Sequence, residues 1–126
     1  LYTVSDELTD VIIIDSIGVL KYIYRYADVA YIGGGFNHGI HNTLEPLSYG
    51  IPVLFGPKNY MKFAEAQKIV QLDLGSLVNS ANFNKKLELY LDSNQLRNTV
   101  KEKVEKYIEN NKGATLKVVD MFKSIL

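Results

Sequence analysis

Val29-Ala30-Tyr31-Ile32-Gly33-Gly34-Gly35 is the stretch that decides the fold. An apolar run that ends abruptly in consecutive glycines reads as a strand buried on both faces. The glycines then let the backbone approach a neighbour or a ligand with no Cβ in the way. The loop continues through Phe36-Asn37-His38-Gly39-Ile40-His41 into Asn42-Thr43-Leu44-Glu45-Pro46-Leu47-Ser48-Tyr49-Gly50. Here Asn42 is placed as a helix N-cap, Pro46 still lies near the first turn, and Gly50 stands where a left-handed residue stops the helix. Pro52-Val53-Leu54-Phe55 predicts the next buried strand, ended by Gly56-Pro57. Strand, loop, helix, strand is the repeating unit of a parallel sheet.

Working outward, Val11-Ile12-Ile13-Ile14-Asp15 predicts an earlier buried strand. Asp15 and Ser16 can cap a helix over 17–27, with Ile17, Leu20, Ile23, Tyr24 and Ala27 at helical spacing. Downstream, a helix over about 60–72 runs to Gly75, and Leu77-Val78 predicts a brief strand. From Asn82 the pattern turns helical. Phe83, Leu87, Tyr90 and Leu91 form one amphipathic segment, and Leu96, Val100, Val104, Tyr107 and Ile108 a longer one with a lysine/glutamate outer face. Gly113 breaks it, and Val118, Val119, Phe122 and Leu126 mark a last helix. The expectation is an α/β domain over 1–126, a partial doubly wound parallel sheet with 82–126 as its helical tail. No glycine-rich first strand-turn-helix precedes residue 11, so the chain reads as the second half of such a unit. Its start at Leu1 rather than Met fits a piece of a longer protein.

The bulk numbers narrow the function classes. At 126 residues the chain can bury one core and not two. Fourteen basic residues balance fourteen acidic ones, so no long-range field recruits nucleic acid, and an anion would have to be held by local donors. The absence of cysteine excludes a disulfide framework and a thiolate metal site. No apolar run approaches the roughly 20 residues that cross a bilayer, and no leader is recognisable.

Parallel sheets bind ligands at the carboxyl ends of their strands. Two such ends carry Asp15-Ser16-Ile17-Gly18 and Gly33-Gly34-Gly35. The glycine loop leads into a helix N-terminus, where unpaired amides and the helix dipole favour a phosphate or carboxylate. Glu45, one turn in, suits ribose hydroxyls. Asn42 and Glu45 equally stand at the spacing of a capping box, which would satisfy the helix end without a ligand. Asp15 and Ser16 read as an ordinary cap or as amides facing a nucleobase. Gly56-Pro57-Lys58-Asn59 reads as a plain turn or as a cation added to the same cleft. His38 and His41 lack the carboxylate or cysteine that would complete a metal site; His41 is better placed to donate to an anion, and His38 to be exposed. The tyrosines fall mostly at core-facing spacing.

Four blocks in order carry a resemblance: Asp15-Ser16-Ile17-Gly18, Tyr26-Ala27-Asp28-Val29-Ala30-Tyr31-Ile32-Gly33-Gly34, His41-Asn42-Thr43-Leu44-Glu45-Pro46, and Gly50-Ile51-Pro52-Val53-Leu54-Phe55-Gly56-Pro57. Together they closely resemble the carboxy-terminal domain of bacterial Kdo (3-deoxy-D-manno-octulosonic acid) transferases. The likeness is strong over roughly 10–75, and the helical tail agrees in pattern. It implies a GT-B architecture, two Rossmann-like domains facing across a cleft, with the carboxy-terminal one holding CMP-Kdo and needing neither metal nor cofactor. The segments matching Ile17, Gly18 and Val19, and Asn42, Thr43, Leu44 and Glu45, would contact CMP, with Gly34 and His41 in the same motif. The family's usual Asp-Thr-x-Gly-Glu pattern meets Ser16 and Val19 here, so a glutamate contact is lost. Ile40 replaces the glycine that usually precedes the histidine, and Gly35 a common serine.

The resemblance implies that the general base lies in an amino-terminal domain and a phosphate-binding arginine early in the carboxy-terminal one. Both are expected outside this chain, which would then bind CMP weakly and not turn over. The whole enzyme would serve lipopolysaccharide biosynthesis, transferring Kdo to a lipid A precursor at the cytoplasmic face of the bacterial inner membrane. The chain itself would be soluble and, through surface that normally packs on the other half, able to self-associate. Other readings stay open: a GT-B transferase using a UDP-sugar, on the spacing of Glu45, Gly50 and Pro52, or a non-catalytic binding module. A dehydrogenase is disfavoured because the loop lacks Gly-x-Gly-x-x-Gly.

Overall fold

A computed structural model describes residues 10–36 and 39–111. His38, the break at Gly113 and the last helix expected over 118–126 lie outside the described residues. Three short strands form the sheet: β1 (Ala30–Ile32), β2 (Val53–Phe55) and β3 (Gly75–Leu77). All are parallel, in the order β1-β2-β3, with Ile32 opposite Phe55 and Phe55 opposite Leu77. Helix α2 (Leu44–Ser48) carries the chain from β1 to β2, and a 3₁₀ turn (Tyr60–Lys62) with α3 (Ala64–Gln71) from β2 to β3. The class is α/β, as the alternation of strands and helices predicts.

The central strand explains the core. Val53, Leu54 and Phe55 are all 0% exposed, because β2 has a strand on each edge and cover on both faces. Ile32, Leu47, Ile69, Leu74 and Val78 close around it, and Tyr90, Val100 and Val104 join from the tail. That tail is α4 (Phe83–Asp92) followed by α5 (Asn94–Asn110). Ser93 Oγ accepts the Leu96 amide at 3.1 Å and caps α5, while Arg97 donates to the Tyr90 and Leu91 carbonyls at 2.6 Å and fixes the end of α4.

Gly50 ends α2 at φ 73, its amide on the Leu47 carbonyl at 2.8 Å, as a left-handed stop requires. β3 comes slightly earlier than Leu77-Val78, and the 60–72 segment divides into a 3₁₀ turn and α3.

The leading segment differs most from expectation. Val11–Ile14 form no strand, and Ile12 and Ile13 are 77% and 88% exposed. The helix expected over 17–27 is instead α1 (Leu20–Ile23) followed by a 3₁₀ turn (Tyr24–Tyr26). Its N-cap is Val19, with no side-chain cap, so Asp15 and Ser16 do not cap it. No strand pairs with 11–15 among the described residues, so its β-branched side chains find no pleated neighbour. The tyrosines also depart from the packing role: Tyr24 and Tyr90 are buried, but Tyr22, Tyr26, Tyr31 and Tyr49 are exposed.

Candidate functional site

The carboxyl ends of β1 and β2 meet in a cluster of backbone contacts. The register that sets Ile32 opposite Phe55 places Gly33 and Gly56 next in line. Just beyond, a Cβ on Gly35 would sit 2.5 Å from the Gly56 nitrogen and 2.6 Å from its carbonyl oxygen. The Lys58 amide donates to the Gly35 carbonyl at 2.8 Å and ties the two loops together. Gly34 adopts φ 86, and a Cβ there would lie 2.0 Å from the Gly39 oxygen and 2.9 Å from His41 Cδ2. The glycine loop thus folds back on itself, the Gly39 amide bonding the Gly34 carbonyl at 2.9 Å and the His41 amide the Gly33 carbonyl at 3.2 Å. Part of what the glycines are for is this self-packing; Gly56 as the partner of Gly35 was visible in the sequence only as a strand-ending residue.

This fold-back delivers His41 and Asn42, both exposed, to the start of α2. The N-cap of α2 is Thr43, whose side chain makes no cap bond, and not Asn42 as expected. Asn42, one residue earlier, still supports the helix start, its Oδ1 accepting the Leu44 amide at 3.0 Å. The reciprocal half of a capping box does not form, since no hydrogen bond joins the Glu45 side chain to the Asn42 amide. The Thr43 and Glu45 amides have no acceptor among the described residues. Thr43 is 2% exposed and its Oγ1 has no hydrogen-bond partner, an orphan of the kind that a bound ligand or water satisfies. Glu45 is half-buried and close enough to Tyr24 to act on it: burial first, and the Glu45 charge second, raise the Tyr24 phenol above its ordinary value.

Gly34, His41, Asn42, Thr43, Leu44 and Glu45 therefore lie together on one loop-helix unit. No hydrogen bond among the described residues joins Ile17, Gly18 or Val19 to that unit. Ile17 is fully exposed, Gly18 is left-handed at φ 83 with nothing within 4 Å of a Cβ, and Val19 is half-buried. Their tie is forward, from the Tyr22 amide to the Val19 carbonyl at 3.0 Å. Among the described residues no group of three His, Asp or Glu is placed to hold a metal ion. Two cavities lie away from the glycine loop. One, of about 340 Å³, is walled by Tyr24, Tyr49, Lys101 and the Arg97–Asp28 ion pair at the amino ends of β1 and β2. The other, of about 420 Å³, lies between the end of α3 and α5.

No protein-family model matches the chain. The 3-deoxy-D-manno-octulosonic acid transferase of Chlamydophila psittaci is 34% identical over 116 residues, 90% of this chain and 27% of the relative. That of Haemophilus influenzae is 34% identical over 125 residues, 96% of this chain and 29% of the relative. Along nine tenths or more of its own length the chain is thus similar to Kdo transferases. It spans between a quarter and a third of the length of these relatives, 27% and 29%. The C-terminal CMP-Kdo binding domain of WaaA from Acinetobacter baumannii superimposes with a TM-score of 0.64 at 23% identity, over 74% of this chain and 50% of that one. This likeness bears out the α/β fold expected of a carboxy-terminal GT-B domain.

Proposed function

We propose that this chain is the donor-binding part of a glycosyltransferase that moves Kdo from CMP-Kdo to a lipid A precursor. One observation carries the reading: 34% identity to Kdo transferases along 90% of the chain, in the same region that folds as the strand-end loop and α2. The unpaired Thr43 and Glu45 amides and the orphaned Thr43 hydroxyl supply donors for the CMP phosphate. The Leu44 amide is already taken by Asn42, so Asn42 serves by holding the helix start in place. Glu45 accepts from ribose hydroxyls, and the His41 ring, backed against Gly33 and Gly34, faces the anion. Ile17 is exposed and Gly18 turns left-handed with open space around it, a shape suited to the edge of the cytosine.

In the transfer itself the acceptor hydroxyl attacks the anomeric carbon of Kdo. The bond to the phosphate oxygen breaks, CMP leaves, and a base takes the hydroxyl proton. This chain's share is to bind and orient the donor. The base and the lipid A site belong to a facing domain, which also brings the enzyme to the cytoplasmic face of the inner membrane. The chain alone then binds CMP without transfer. NMR titration of the 126-residue chain with CMP and with UDP tests the reading. Shifts at Gly34, His41 and Thr43–Glu45 on CMP addition are expected. Tighter binding of UDP at those residues, or no shift with CMP, overturns it.

A further inference from the structure

We infer that Lys58 is a donor-binding residue that reads the carboxylate of the sugar acid, an assignment that rests on the donor-site reading above. A nucleotide-activated ulosonic acid carries two anions, the phosphodiester and the sugar carboxylate. The amides and hydroxyl around Thr43 serve one of them. The other needs its own donor, and a chain with balanced charges supplies no general field to help.

Lys58 meets that need by placement. Its amide donates to the Gly35 carbonyl at 2.8 Å, so its stem is rooted directly on the glycine loop. Gly56 and Gly35 touch through their backbones two residues before it, and Asn59 turns left-handed at φ 61 immediately after it. The residue is held beside the glycine loop, with its backbone fixed and its side chain exposed. Among the described residues its ammonium has no acidic partner; the two ion pairs, Arg97–Asp28 and Lys103–Asp73, lie elsewhere. A lysine is a compact charge on a flexible stem, able to follow a carboxylate whose position depends on the sugar ring. The other cation on this turn, Lys62, has its amide on the Asn59 carbonyl at 2.9 Å and no hydrogen bond to the glycine loop.

The experiment compares CMP with CMP-Kdo by NMR titration of the chain and of Lys58→Met, Lys58→Arg and Lys62→Met. In the unmodified chain CMP-Kdo should bind roughly tenfold more tightly than CMP, the size of one charge-assisted hydrogen bond. Lys58→Met should erase that preference and leave CMP affinity within about twofold, Lys58→Arg should restore most of it, and Lys62→Met should keep it. If the unmodified chain prefers CMP-Kdo and Lys58→Met keeps the preference, the Lys58 assignment alone falls. It also falls if Lys58→Met weakens CMP and CMP-Kdo equally, or if the unmodified chain binds the two alike. If neither ligand binds the unmodified chain, the donor reading falls and takes Lys58 with it.

Discussion

Val11-Ile12-Ile13-Ile14 and Val53-Leu54-Phe55 are nearly the same chemistry, and the structure treats them as opposites. The second is a strand with every side chain at 0% exposure; the first forms no strand and leaves Ile13 88% exposed. What separates them is neighbours. β2 has β1 and β3 on its edges and helices supplied by short connections, whereas 11–14 has no strand partner among the described residues. Apolar area stabilises only when it leaves water, at about 25 cal/mol per Å². A run of β-branched residues therefore measures how much a segment stands to gain from cover, and the surrounding chain decides whether it gains it.

The largest test of this contrast is a pair of truncations. Leu54→Ala should cost about 2–5 kcal/mol of unfolding free energy, because a packed site cannot collapse around the lost atoms. Ile13→Ala should change stability by no more than about 0.5 kcal/mol. Urea unfolding of both variants measures the difference, and a loss at Ile13 close to that at Leu54 would mean that 11–14 is packed in solution.

Glycines sharpen the same comparison. Gly35→Ala drives a Cβ into the backbone of Gly56, which has no flexible end to give way, so a loss of about 2 kcal/mol or more is expected. Gly18→Ala meets nothing within 4 Å and carries only the strain of its positive φ, about 1 kcal/mol. Equal losses in urea unfolding would show that the 17–19 turn is as tightly packed as the glycine loop.

The contrast also marks what could be read beforehand. Periodicity located β1, β2, α3 and the two tail helices because their partners are close in sequence, so local pattern and tertiary packing agree. It failed at 11–19 because a buried strand and an uncovered apolar run look identical until the neighbours are known. The tyrosines misled for a related reason: Tyr31 lies on the outer face of β1, where its ring packs edge-on against Phe83 at 5.4 Å and still stays half exposed. At the site, residues 34–45 were legible because glycines, a helix-start asparagine and a carboxylate each have a local physical meaning. The Gly35–Gly56 approach and the Lys58 tie were not, since they depend on the register of two strands more than twenty residues apart in sequence.

Two helix starts allow a smaller test, one in the packed tail and one in the site. Ser93→Ala and Asn42→Ala each remove an acceptor from a helix-start amide, and each should cost about 1 kcal/mol. Only Asn42→Ala should also weaken CMP, because it frees the helix start that presents Thr43. If CMP titrates Asn42→Ala as it does the unmodified chain, Asn42 supports the helix start and nothing more.

The smallest expected effect lies at the boundary between the two regions, where Tyr24 brings the leading segment into the core. Its ring is buried near Tyr49, with centroids 6.5 Å apart, and its phenol is raised above 10.0 by burial and, secondly, by the charge on Glu45. Folding therefore favours the neutral phenol. The stability this contributes is fully present below pH 10.0, the unfolded value, and is lost as pH rises through the higher folded value. Tyr24→Phe should reduce that alkaline loss. Glu45→Gln removes only the lesser cause, so the Tyr24 transition, followed by tyrosinate absorbance, should move down and yet stay above that of an ordinary tyrosine. A transition that does not move in Glu45→Gln would separate Glu45 from Tyr24 and leave the leading segment held by burial alone. One that falls all the way to the ordinary value would mean that Tyr24 is solvated, and that the exposed region extends from residue 11 through the 3₁₀ turn to the edge of β1.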